Sequence, residues 1–187
     1  MKKVLASIFS VAIFLSLSHL AASQATSSSL NDQLIQAAKA GDTSAVQQLL
    51  DKGANIEARN KDGHTALMNA ADQGKTEVVK LLLEKGAQIE AKNVAGDTAL
   101  ISAASSCKTD TVKLLLAKGA NINAKNNSDD TALIMTAMGN CTDVARLLLD
   151  NGANIDAVNI VGWTALKYAD LFDSADVEKL LRERGAH

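Results

Sequence analysis

The chain has 187 residues with 19 basic against 21 acidic side chains, no proline and only 3% aromatics. A near-even charge balance without a basic cluster argues against nucleic acid or anionic lipid as a partner. Hydrophobic residues make up 47% of the chain, and Ala and Leu carry most of them, as suits thin, closely packed helical layers.

The first residues read as an export signal. Lys2 and Lys3 give a positive start, Val4 to Leu20 form an apolar run broken only by serines and His19, and Ala21, Ala22 and Ser23 supply a small-residue cleavage site. The run is short and serine-diluted for a membrane anchor, and no cysteine follows it to carry a lipid. The expected division is a cleaved signal peptide over 1–23, a flexible Ser/Gln/Thr-rich leader over 24–29 and a folded domain over 30–187. The MKK start has a bacterial character and places the mature chain in the periplasm. Without Lys2 and Lys3 the chain carries 17 basic against 21 acidic residues, a net of −4.

From there one 33-residue unit recurs. Its clearest copy, Lys61 to Asn93, reads KDGHTALMNAADQGKTEVVKLLLEKGAQIEAKN. Copies in register begin at Val94 and Asn127, a truncated one at Ile160, and a degenerate one spans about 28–60. A period of this length predicts a solenoid in which each unit buries its apolar face only against its neighbours.

Within the template, Thr65 can cap a helix through its hydroxyl. Leu67, Ala70 and Ala71 share one face of that helix, and Gly74 ends it in a left-handed turn. Thr76 and Glu77 open a second helix with acid in its first turn. Val78, Val79, Leu81, Leu82 and Leu83 supply its apolar surface, and Gly86 stops it. Ala87 to Gly96 then alternates and ends in a glycine turn, which predicts an extended finger leading to the next pair.

The pattern G-x-T-A-L-x-x-A-A-x-x-G-x-x-x-x-V-x-L-L-L-x-x-G-A-x-x-x-A-x-N closely resembles the ankyrin repeat, from about Leu30 to the C-terminus. The resemblance implies an all-α solenoid of about five helix-turn-helix repeats linked by short β-hairpin-like fingers. Departures from the family pattern are specific. Alanine stands where the family has proline (Ala66, Ala99, Ala132, Ala165), and its histidine is replaced by Met68, Ile101, Ile134 and Lys167. In the fourth copy Asp129 and Asn140 replace glycines and Thr136 a core alanine, so that copy is expected to be the least regular. Gln48 and Arg182, where inner copies have leucine, mark the first and last copies as polar caps. Five units are expected to form the whole array.

Chemistry-bearing motifs are missing. After the signal segment the only histidines are His64 and His187, and no nucleophile elbow, metalloprotease helix, phosphate loop or C-x-x-C occurs. The expectation is a protein with no enzymatic activity, no cofactor and no metal. Cys107 and Cys141 both fall in turns between paired helices on adjacent layers. An even cysteine count in an oxidising compartment favours a bond, while layers about 10 Å apart oppose it, since a disulfide needs Cα atoms within about 7 Å. A Cys107–Cys141 disulfide is the expectation, with two unbonded small residues as the alternative. The N-x-S/T matches at Asn126 and Asn140 carry no meaning in a bacterial chain.

In the family, finger tips and the exposed side of each first helix grip partners. Carried over, that surface loses charge toward the C-terminal end, from Lys61, Asp62, His64, Asp72 and Gln73 to Ile160, Val161, Trp163, Leu171 and Phe172. Trp163, the only Trp, with Ile160, Val161, Met138 and Phe172 forms the expected anchor. Asp62, His64 and Asp97 form its polar rim. Local packing of Trp163 on the neighbouring finger is the competing reading. The function expected is a monomeric, non-catalytic periplasmic scaffold for another protein, off the membrane once the signal is cleaved. Resemblance to small exported bacterial ankyrin proteins implies support of an oxidative-stress enzyme such as a catalase. The alternatives are an immunity protein that neutralises a periplasm-delivered toxin and a structural envelope component.

Overall fold

The computed structural model of the protein describes residues 29–187; the expected signal peptide and the expected leader as far as residue 28 lie outside the described residues. Ten helices follow in pairs: α1 (29–40) with α2 (Thr43–Asp51), α3 (Ala66–Asp72) with α4 (Thr76–Glu84), α5 (Ala99–Ser105) with α6 (Thr109–Ala117), α7 (Ala132–Met138) with α8 (Thr142–Asp150), and α9 (Ala165–Leu171) with α10 (Ala175–Glu183). Each first helix from α3 onward packs on the next first helix, and each second helix on the next second helix, giving two rows. None of the described helices is long and apolar enough to cross a membrane.

The helix boundaries follow from local chemistry. Thr65, Thr98, Thr131 and Thr164 sit extended at the N-cap, and each hydroxyl accepts the N–H three residues on, at Met68, Ile101, Ile134 and Lys167. Such a cap is worth about 1 kcal/mol. Nine residues after each of these threonines the chain reverses through a left-handed residue, as it does after α1. Gly41 and Gly74 take that conformation without a Cβ penalty, whereas Cys107, Asn140 and Asp173 adopt it at φ 55°, 51° and 53°. Among the second helices α2 is capped by the Asp42 carboxylate, which accepts the Ala45 N–H at 2.8 Å, whereas α4, α6, α8 and α10 lack side-chain N-caps but carry Glu77, Asp110, Asp143 and Asp176 in their first turns, where the helix dipole favours negative charge.

The core is one continuous apolar seam between layers. Leu67, Leu100 and Leu133 occupy the same position in successive copies and are almost wholly buried, as are Val79, Val112 and Ala145 on the second helices. Each buried leucine contributes roughly 1.5–3 kcal/mol by leaving water. Ala70, Ala71, Ala103, Ala104 and Ala137 let neighbouring first helices approach closely. In the last copy the outward side of α9 instead carries Lys167 and Asp170, ion-paired at 3.2 Å and exposed. Gln48 and Arg182 are exposed too, as a terminal layer facing water requires.

The fourth copy is no less regular than the rest, contrary to the sequence expectation. Its helices α7 and α8 have the same seven and nine residues as the others. The substituted side chains find bonds of their own. Asn140 accepts the Val177 N–H, Asp129 pairs with Lys125 at 3.2 Å, and the buried Thr136 hydroxyl donates to the Leu133 carbonyl at 2.6 Å.

Four fingers, residues 54–64, 87–97, 120–130 and 153–163, connect the helix pairs. They are hairpin-like turns rather than paired strands, and among the described residues the sole β-bridge joins Lys125 to Thr131. The reason is that each finger's polar groups are largely spent sideways. The Val94, Asn127 and Ile160 N–H groups donate to the carbonyls of Asp62, Ala95 and Ser128 in the preceding finger, at 3.0–3.1 Å.

Candidate functional site

An asparagine in each of the four fingers shapes it: Asn60, Asn93, Asn126 and Asn159. Each Oδ1 accepts backbone N–H groups of its own turn, those of Asp62 and His64 in the first finger and of Val161 and Trp163 in the last. From the second finger onward the amide also reaches back one layer. Asn93 meets His64 Nε2 at 3.0 Å, Asn126 donates to Asp97 at 2.9 Å, and Asn159 donates to Asp130 at 3.0 Å. Asn159 and Asp130 are both buried. Satisfied buried polar groups of this kind fix register, and breaking one leaves the other unpaired.

These bonds sort the residues expected at the polar rim. His64 and Asp97 are half-buried and tied into the finger row, whereas the Asp62 side chain is exposed and takes part through its backbone carbonyl. A cationic row runs parallel. The Arg59 guanidinium donates to the Lys92 carbonyl, Lys92 Nζ to the Lys125 carbonyl at 2.7 Å, and Lys125 Nζ to the Val158 carbonyl at 3.1 Å. Val158 ends the row with an exposed apolar side chain.

The apolar end is different in kind. Every aromatic residue among those described, Trp163, Tyr168 and Phe172, lies in the last copy, and the three form one row. Trp163 meets Tyr168 edge-on at 5.4 Å, and Tyr168 stacks parallel on Phe172 at 5.9 Å. Trp163 is half-buried by this packing, while Phe172 remains 48% exposed, Leu171 53%, Val161 60% and Ile160 67%. Met138, on α7, is exposed in the preceding copy. The structure therefore joins Trp163 to Phe172 through a residue that sequence reasoning passed over. Tyr168 is the chain's only tyrosine and aligns with Asn69, Ser102 and Met135, so its place in the repeat was the available signal.

Tyr168 links the apolar row to the polar one. Its hydroxyl receives a hydrogen bond from Asn159 at 3.0 Å, close to Asp130. Burial raises its pKa above the ordinary value of 10.0, and the negative charge of Asp130 raises it further. Among the described residues no group of three or more His, Cys, Asp or Glu is placed to hold a metal ion.

The two cysteines are joined. Cys107 and Cys141 form a disulfide between the third and fourth copies, with Cα atoms 5.1 Å apart.

The family description "Ankyrin repeats (3 copies)" matches residues 34–126 and again 125–187. The chain belongs to the ankyrin-repeat family. Ankyrin repeats are scaffolds for protein–protein interaction, typically without catalysis of their own, and the helical stack described above is built on that plan. No curated protein matches the chain.

Proposed function

We propose that the chain is a non-catalytic periplasmic scaffold that holds another protein through its finger tips and the exposed side of its first helices. The observation that carries this reading is the gathering of all described aromatic side chains at one end, beside exposed Ile160, Val161 and Leu171. Exposed apolar patches rimmed by polar groups mark interaction sites, and Trp and Tyr dominate binding energy where they occur. Trp163 and Phe172 are the anchor, with Ile160, Val161 and Met138 around them. Asp62 lies at the far, polar end of the same surface.

The setting we propose is support of an oxidative-stress enzyme such as a catalase. It rests on the resemblance of the chain to small exported bacterial ankyrin proteins. The test uses mature chain, residues 24–187, as bait in periplasmic extract, beside a Trp163→Ala chain with an unchanged melting curve. Retention of a catalase by the first, with a loss of more than about 2 kcal/mol of affinity in the second, supports the reading. Retention of a toxin instead replaces the catalase setting with an immunity role. Equal affinity of the two baits removes the aromatic row from the binding surface.

A further inference from the structure

The bridge between the third and fourth copies is presented unevenly to solvent. Cys107 is exposed, because the left-handed turn between α5 and α6 sets it at an outer corner with φ 55°. Cys141 is only 4% exposed and lies under the end of α7, where a Cβ on Gly139 would stand 3.0 Å from its Sγ. Gln73, Ser106 and Phe172 hold the place of Gly139 in other copies. The fourth copy thus gives up a side chain where one would press on the buried sulfur.

A cleft of about 310 Å³ opens onto Cys107 from the side of the second copy. Gly74, Thr76, Lys108, Thr109 and Asp110 line it, and Cys141 does not. Cys141 belongs to the layer on the opposite side of Cys107. The cleft therefore faces the end of the S–S axis through which a nucleophile must enter to attack the Cys107 sulfur. A second cleft, shared by both cysteines, adds Asp143.

The sulfur that would depart is placed to carry negative charge. Cys141 is the N-cap residue of the nine-residue helix α8, which has no side-chain cap bond. A thiolate there faces the free N–H groups of the first turn and the positive end of the helix dipole. Both lower the pKa of a thiol, and a thiol of lower pKa leaves faster. Asp143 opposes this, but it is exposed and screened by solvent.

We propose that the Cys107–Cys141 bridge is a directional thiol-exchange site of the folded chain, whose substrate is a dithiol without net negative charge. One thiolate of the dithiol bonds to Cys107 Sγ as the S–S bond breaks, and the bond's electron pair leaves with Cys141. The second thiolate then attacks the sulfur of its own molecule in the mixed disulfide and expels Cys107 as a thiolate. Two electrons pass from the dithiol to the bridge, the dithiol departs as a disulfide, and its protons are available to the two cysteines. The charge preference follows from the cleft walls, where Asp110 and Asp143 outnumber Lys108. This inference goes beyond the scaffold reading and does not depend on it.

The test uses oxidised chain 24–187 and two uncharged reagents. Dithiothreitol reduces the bridge in buffer and in urea below the unfolding transition, with a short peptide disulfide as the reference in each solution. Attack on the folded chain should keep the relative rate within about twofold per molar urea. A bridge reached only by unfolding should speed up about fivefold or more, following the denaturant slope. In a second arm 2-mercaptoethanol is added, the reaction is stopped in acid, and the mixed disulfide is located by peptic digestion and mass spectrometry. The adduct should sit on Cys107 in about tenfold excess over Cys141. A relative rate rising more than about twofold per molar urea overturns the proposal, as does an adduct found equally on both cysteines or chiefly on Cys141.

Discussion

Cys107 and Cys141 are 34 residues apart in sequence, one repeat plus one position, and their Cα atoms stand 5.1 Å apart. The pairing is diagonal, from the left-handed turn of one layer to the residue opening the second helix of the next. Non-covalent versions occur elsewhere in the stack. A Cβ on Gly41 would meet the Lys75 side chain at 2.8 Å, one on Gly74 that of Lys108 at 2.9 Å, and Asn140 accepts the Val177 N–H beside Ser174. Layer spacing alone suggests that neighbouring turns are too distant for a bond, and the one-residue offset closes the gap.

The bridge predicts a specific redox dependence of stability. Closing a loop of 34 residues removes denatured-state freedom worth about 3–4 kcal/mol in the chain-entropy account. Reductant should lower the denaturation midpoint of the wild type by a comparable free energy and leave a Cys107→Ser, Cys141→Ser chain unmoved. Because Cys107 holds φ at 55°, Cys107→Gly should recover up to about 1 kcal/mol relative to Cys107→Ser. Identical urea curves with and without reductant would show that the cysteines are not bonded.

The helical part of this fold is legible from one repeat because its determinants are local. Thr65 and its counterparts cap, Gly74 and its counterparts turn, and Leu67, Ala70 and Ala71 share a face. The finger row is not legible in that way. His64 and Asp97 read as free polar groups until Asn93 and Asn126, 29 residues further along, are seen to reach back to them. Tyr168 escaped for a related reason, since its contacts with Trp163 and Asn159 depend on how the last finger folds back on α9, and Asp130 comes from the layer before.

Tyr168 predicts a change in alkaline stability. Its folded pKa is raised by burial and by Asp130, so the neutral phenol is the form the fold favours. That stability is fully present below the unfolded value near 10 and is lost as pH rises through the higher folded value. Tyr168→Phe should therefore show a flatter fall in melting temperature than wild type above pH about 10, with the two curves parallel below it. Parallel curves throughout would detach Tyr168 from the alkaline transition.

Asn159 and Asn60 occupy the same position in the last and first fingers but carry different loads. Asn60 accepts two N–H groups of its turn, whereas Asn159 does this and also donates to Asp130 and Tyr168 from a buried site. Asn159→Ala should cost about 3 kcal/mol or more, because it strands a buried carboxylate as well as two backbone groups. Asn60→Ala should cost about half as much. Chemical denaturation of the two single variants checks the ratio, and equal losses would mean that the reach back to Asp130 contributes nothing.

Thr136 offers the opposite case, a buried polar residue whose removal should be harmless. It is fully buried, and its hydroxyl donates to the Leu133 carbonyl of its own helix at 2.6 Å. Ala70, Ala103 and Ala169 occupy the matching positions, so the stack already accepts alanine there. The bond joins two groups within one turn, and the Leu133 carbonyl keeps its own place in the helix once the hydroxyl is gone, so no unpaired donor remains. Alanine also has the better helix propensity, by up to about 0.5 kcal/mol, set against the loss of one buried methyl group worth roughly 1 kcal/mol. Thr136→Ala should therefore shift unfolding free energy by less than about 1 kcal/mol in either direction, and a loss of several kcal/mol in urea denaturation would show that the hydroxyl fixes the fourth layer in place.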